Sequence, residues 1–135
     1  MPRFLLKNFN WELNDSGLER SFLSGKDFSE DESTRVSDVN RLLQKRLLIR
    51  PNRQSGLVEI VFETDSSGKE LTRLNFAPSS IKNGYDLIGV IYHFYQSINP
   101  KTGNQYIDDI GGHIFFEGVQ EYSEPKGRYH VNLGS

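Results

Sequence analysis

His93, His113 and Glu117 are the residues whose types and spacing suit metal binding or proton transfer. The two histidines fall on the two strands of one expected hairpin. Its turn brings them onto one face a few residues apart, and Glu117 shares the strand face of His113. Two partly buried histidines donating to backbone carbonyls satisfy the same spacing, and that reading is preferred, because buried polar groups are normally hydrogen-bonded. His130 alternates with inward residues and is expected to face solvent. Asp108 and Asp109 are adjacent, so in a strand they point to opposite sides and cannot form a catalytic dyad. No catalytic residue and no metal ligand is therefore assigned, and the chain is read as a non-enzyme that needs no cofactor.

A second kind of chemistry is carried by cations and aromatic rings. Residues 41–53 hold five basic side chains and no acid, among them Arg41, Arg46 and Arg50. These suit a phosphate or another anion, although the solvated end of a helix is the preferred account of the cluster, because surface charge runs are common and specific sites are not. Tyr85, Tyr92, Phe94, Tyr95, Tyr106, Phe115 and Phe116 crowd one segment, where they could stack on a base or simply form core. The familiar motifs are absent. Gly68-Lys69 lacks the earlier glycine and the following Ser or Thr of a phosphate loop, no Gly-x-Ser-x-Gly occurs, and without cysteine there is no thiol nucleophile, thiolate metal site or disulfide.

The elements that must hold these groups read mainly as antiparallel β structure. Residues 84–98 are apolar or aromatic on both faces of a strand. Asp86, Ile88, Val90, Tyr92, Phe94 and Gln96 line one side, and Tyr85, Leu87, Gly89, Ile91, His93 and Tyr95 the other. This strand turns at residues 99–103 and returns through 106–119, where Gly111, Gly112 and Gly118 mark a bulge or corner. Residues 3–13 and 18–24 flank the turn formers Asn14-Asp15-Ser16-Gly17 as a first hairpin. Residues 57–64 pair with 71–77, with Val58, Ile60 and Phe62 on one face. Residues 128–133 point Tyr129, Val131 and Leu133 inward, and 47–50 add a short segment. About eight strands result. Because closure removes exposed apolar edges, the expected fold is a mainly β, antiparallel barrel with one packed α-helix; the alternative is an α+β antiparallel sheet wrapped on that helix.

The helix is expected over residues 30–46. Ser29 and Glu32 fit a capping box, acids lead and Lys45 and Arg46 follow, and Val36, Val39, Leu43 and Leu47 make one apolar stripe. At 135 residues the chain is one domain, residues 1–135, able to bury a core without staples. A net charge of −2 gives no support for a nucleic-acid or membrane partner, and neither a long nucleic acid nor membrane insertion is expected. The lack of cysteine, of a long apolar run and of an export signal leads to the expectation of a soluble, cytoplasmic protein.

The order Phe62-Glu63-Thr64, Ser66, Tyr92-His93-Phe94-Tyr95, Asn99-Pro100, Gly112-His113-Ile114-Phe115 and Gly127-Arg128-Tyr129 resembles a known pattern. It is similar to the small β-barrel sensor domain of cyclic-nucleotide-activated membrane effectors in bacterial CBASS antiphage systems, over residues 57–133. The resemblance implies a barrel that holds a cyclic dinucleotide in its interior and oligomerises, hence a role in antiviral defence. Members of that family carry transmembrane helices before the barrel. Here residues 3–13 and the charged helix stand in that place, so only ligand capture is carried over.

The expected function is thus non-enzymatic binding of a small anionic, nucleotide-like ligand in a barrel. Tyr92, His93, Tyr95 and His113 would lie near it, with Arg41, Arg46 and Arg50 supplying charge, and a homo-oligomer is possible. The alternative is a protein-interaction module, such as a toxin-immunity or phage-encoded inhibitory protein, whose acidic residues Glu30 to Glu32 meet a basic partner.

Overall fold

The computed structural model describes residues 3–24 and 32–134. It is mainly β, one seven-stranded sheet with three α-helices. The strands are β1 (Phe4–Leu5), β2 (Phe9–Glu12), β3 (Phe22–Leu23), β4 (Val58–Glu63), β5 (Leu71–Phe76), β6 (Phe115–Glu121) and β7 (Arg128–Gly134). The helices are α1 (Glu32–Gln44), α2 (Gly84–Gln96) and α3 (Tyr106–Asp109). The spatial order is β3-β2-β6-β7-β4-β5, with β1 also on β6. Every pairing is antiparallel except β4 with β7, so the sheet is mixed.

The expected barrel does not form. The sheet stays open, with β3 and β5 at its two edges, because the segment meant to supply its longest strand is a helix. Residues 84–96 are apolar on two strand faces, yet Gly84, Leu87, Ile88, Ile91, Phe94 and Tyr95 are the buried ones, a three- and four-residue spacing that makes a single helical stripe. Asn83 starts the helix, its side chain accepting the Asp86 amide at 3.0 Å. Valine, isoleucine and aromatic side chains are weak helix formers, but burial of the stripe against the sheet outweighs that preference.

Other expectations shift with it. The turn at 99–103 connects two helices, and the return strand 106–119 is replaced by α3 and by β6, which starts only at Phe115. Residues 47–50 form no strand; Arg46 makes one isolated bridge to Asn83, and the Leu47 amide donates to the Lys82 carbonyl at 2.9 Å. The helix expected at 30–46 is α1. Val39 and Leu43 are buried and Leu47 half-buried, while the capping box at Ser29 lies outside the described residues. The β4–β5 hairpin forms as expected, from Glu63 opposite Leu71 to Val58 opposite Phe76, and Tyr129, Val131 and Leu133 on β7 point into the core. The first hairpin is β2 with β3, across Phe9–Leu23 and Asn10–Phe22.

A bulge lies where glycine suggested one. The β6–β7 register shifts between Phe116 and Val119, and Gly118 has φ +100°, close against the backbone of Leu5 to Lys7. This lets β1 and β2 share one side of β6.

The core lies between one sheet face and the helices. The ring of Phe94 on α2 is stacked between Phe62 of β4, centroids 4.0 Å apart, and Tyr106 of α3, at 4.3 Å. Phe9, Trp11 and Phe116 cluster at the other end of the sheet. Helix α1 meets α2 at Gly84, where an added Cβ would sit 2.9 Å from the Leu43 Cα, so this crossing admits no larger side chain without movement.

Candidate functional site

Three places gather polar or binding groups. The first is a cleft between the exit of α1 and the entry of α2, about 590 Å³, lined by Gln44, Arg46, Leu47, Ile49, Pro78, Ser79, Ile81, Lys82 and Asn83. Its shape follows from the chain path, since the Arg46–Asn83 bridge and the Leu47 amide bond hold the two walls together. Leu47, Ile49, Pro78 and Ile81 give it an apolar floor. Arg46 and Lys82 are both exposed, no carboxylate lines the cleft, and among the described residues neither cation has an ion-pair partner. The cleft lies beside the first residues of the thirteen-residue α2, whose amide dipoles add positive potential there, offset by the Asp86 carboxylate, which accepts the Lys82 amide at 2.9 Å behind the lining.

The second is a carboxylate clamp on the sheet face away from α2. Glu63, at the end of β4, is buried, and its two oxygens lie 3.4 Å from His113 Nε2 and 3.1 Å from His130 Nε2. Parallel pairing of β4 with β7 brings His130 there, and the loop after α3 brings His113. Nε2 of both imidazoles faces the Glu63 carboxylate as a donor, and the Tyr122 hydroxyl lies 3.3 Å from His130 Nδ1. From the opposite face the Tyr95 hydroxyl donates to the Glu63 carbonyl at 2.7 Å. Burial, and then the charge of Glu63, push the Tyr95 phenol well above its ordinary range. The clamp ties β4, β7 and the loop before β6 together. Among the described residues no group of three His, Cys, Asp or Glu side chains is arranged to hold a metal.

The third is a groove of about 550 Å³ between β5 and the outer side of α2, lined by residues that include Leu74, Phe76, Tyr85, Val90 and His93.

The residues singled out from sequence separate among these places. Arg46 is in the cleft. Arg41 is exposed and pairs with Asp38, 3.5 Å away on the same helix, and Arg50 is exposed, its amide donating to the Tyr129 hydroxyl at 2.8 Å. His93 lines the groove on α2, Tyr92 is half-buried beside it, and Tyr95 is fully buried. The expected His93, His113 and Glu117 set does not assemble: His113 joins Glu63, and Glu117 is exposed on β6. The reason is the helical course of residues 84–96, which removes the hairpin that was to align the histidines. His130 is half-buried and bonded instead of facing solvent. Asp108 and Asp109 sit on α3, where Asp109 accepts from Thr102, Asn99 and Asn104 and so braces the preceding turn.

Glu63, Tyr122 and Lys82 were not anticipated. The basic cluster around Arg46 was the local signal for the cleft; nothing local pointed to Lys82 or to the clamp. Among the described residues no helix is long and apolar enough to cross a membrane. Compared with known protein families, with curated proteins and with solved structures, the chain matches none.

Proposed function

We propose that this domain is a non-enzymatic binding protein for a small anionic, nucleotide-like ligand, and that the ligand sits in the cleft between α1 and α2 rather than in a barrel interior. The observation that carries the reading is the cleft's composition: two cations without ion-pair partners among the described residues, no acid, and an apolar floor. Arg46 meets the charged group in a bidentate manner, Lys82 adds a second donor, and the floor takes the flat apolar part. A cyclic dinucleotide, the ligand implied by the sequence resemblance, presents both features. Tyr95 is too deeply buried to touch such a ligand, and Arg41 and Arg50 contribute at most long-range charge.

The test is an amide-resolved NMR titration with mononucleotides, cyclic dinucleotides and inorganic phosphate. Saturable shifts confined to residues 44–49 and 78–84 support the site. Shifts centred on Tyr122 and His130, or none with any compound, refute it.

A second reading, a protein-interaction module, is favoured by the groove beside β5, where Leu74 and Tyr85 stay exposed although both are large and apolar.

A further inference from the structure

We propose that two copies of this chain pair through the free edge of β5, antiparallel, about a two-fold axis passing Leu74. The proposal stands apart from the ligand cleft, which lies on other residues.

The two edges of the sheet are unlike. β3 is two residues long and has α1 packed beside it, whereas β5 is six residues long and has no neighbour on its outer side among the described residues. A long uncovered edge is a template for another strand. Which backbone groups it offers follows from the β4 pairing. Thr64 donates to the Glu70 carbonyl at 2.9 Å, so in this register Thr72, Leu74 and Phe76 turn their N–H and C=O groups toward β4. The Glu59 amide donating to Gly127 on the other side of β4 agrees with that alternation. Leu71, Arg73 and Asn75 therefore direct their backbone groups outward, and among the described residues none of these has a hydrogen-bond partner.

Two-fold antiparallel pairing of such an edge has few registers. Centring it on Arg73 sets the two arginines directly opposite each other, which like charges disfavour. Centring it on Leu74 sets Leu74 against Leu74 of the other copy, Phe76 against Thr72, and Arg73 against Asn75. That register joins side chains of matching character on both faces. It also covers Leu74, which is 39% exposed and lines the groove beside α2. The edge is thus complementary to itself, as an isologous interface must be.

The absence of cysteine makes the register directly readable. In the proposed pair Leu74 is a non-hydrogen-bonded position, with Cα atoms about 4.5 Å apart, within disulfide range. Leu71 lies six residues out of register with its own copy, about 20 Å away. Under mild oxidation Leu74→Cys should give a covalent dimer and Leu71→Cys should not. By light scattering the unmodified chain should show twice the 15.5 kDa monomer mass at high concentration. Asn75→Lys places its ammonium opposite Glu59 within the chain but also opposite Arg73 of the other copy, so it should weaken the dimer about tenfold while the melting temperature read at a monomeric concentration is unchanged. A monomer at every concentration, a dimer indifferent to Asn75→Lys, or equal cross-linking through both cysteines would overturn the proposal.

Discussion

The hydroxyl of Tyr95 and the carbonyl oxygen of Glu63 are 2.7 Å apart, and this bond joins the helix layer to the strand whose carboxylate two histidines hold on the opposite sheet face. Glu63 is anchored through its main chain from one side and its side chain from the other. Removing the hydroxyl leaves a buried carbonyl without its partner. Tyr95→Phe should therefore lower stability by about 1 to 2 kcal/mol in denaturant unfolding, with the fold unchanged by circular dichroism.

The same phenol sets an alkaline limit. Tyr95 is raised by burial and then by Glu63, and Tyr129 by burial, against the Arg50 amide that donates to it. A folded-state value above the unfolded 10.0 means that stability is complete below that pH and declines above it, as unfolded tyrosine ionises. Tyr95 should resist ionisation until the protein unfolds, and Tyr129 should ionise above its ordinary range. Absorbance titration of phenolate should show the delay, and Tyr95→Phe should make the alkaline decline shallower.

Asp109 behaves in the opposite sense. The Thr102 hydroxyl, and then Asn104 and Asn99, hold its carboxyl below the ordinary 3.8, so its contribution is present above that pH and lost as pH falls below it. Asp109→Ala should loosen the turn at 99–105, seen as faster amide exchange there, and should flatten the acid limb of the stability profile.

Glycine at position 84 is required by contact rather than by dihedral angle. A methyl there meets the Leu43 main chain at 2.9 Å, and backbone cannot step aside as a flexible side chain can. Gly84→Ala should cost about 1 to 3 kcal/mol despite alanine's better helix propensity. A stabilised variant would show that α1 and α2 slide freely at this crossing.

The clamp predicts non-additivity. His113→Ala and His130→Ala each leave one Glu63 oxygen without its imidazole, and Glu63→Leu removes the acceptor for both. In the Glu63→Leu background either histidine change should cost at least about 0.5 kcal/mol less than in the wild-type chain, measured as a double-mutant cycle.

How far the fold could be read from sequence depended on whether the signal was local. The β4–β5 hairpin, α1 and the inward alternation of Tyr129, Val131 and Leu133 were legible, because turn chemistry and periodicity act over a few residues. Residues 84–96 were misread because their side chains favour strands. Asn83 with Asp86 three residues on, and the buried positions 84, 87, 88, 91, 94 and 95, were the signals that outvote composition. Once that segment is helical, the barrel and the histidine pairing depending on it fall together. The Glu63–His130 contact was beyond reach, since a parallel pairing across 67 residues leaves no local trace. Of the site, Arg46 was found by charge, while Lys82 needed the path that brings residues 82 and 83 to the end of α1.

The most direct test of the ligand cleft is thermal unfolding against a panel of nucleotides and cyclic dinucleotides, run on the wild-type chain and on Arg46→Ala/Lys82→Ala. A ligand at a hundredfold excess over its dissociation constant adds about 2.7 kcal/mol to the folded state. A raised melting temperature is expected with at least one anionic nucleotide, lost in the double variant although its unliganded melting temperature is unchanged. A flat panel, or a shift that survives removal of both cations, would contradict it.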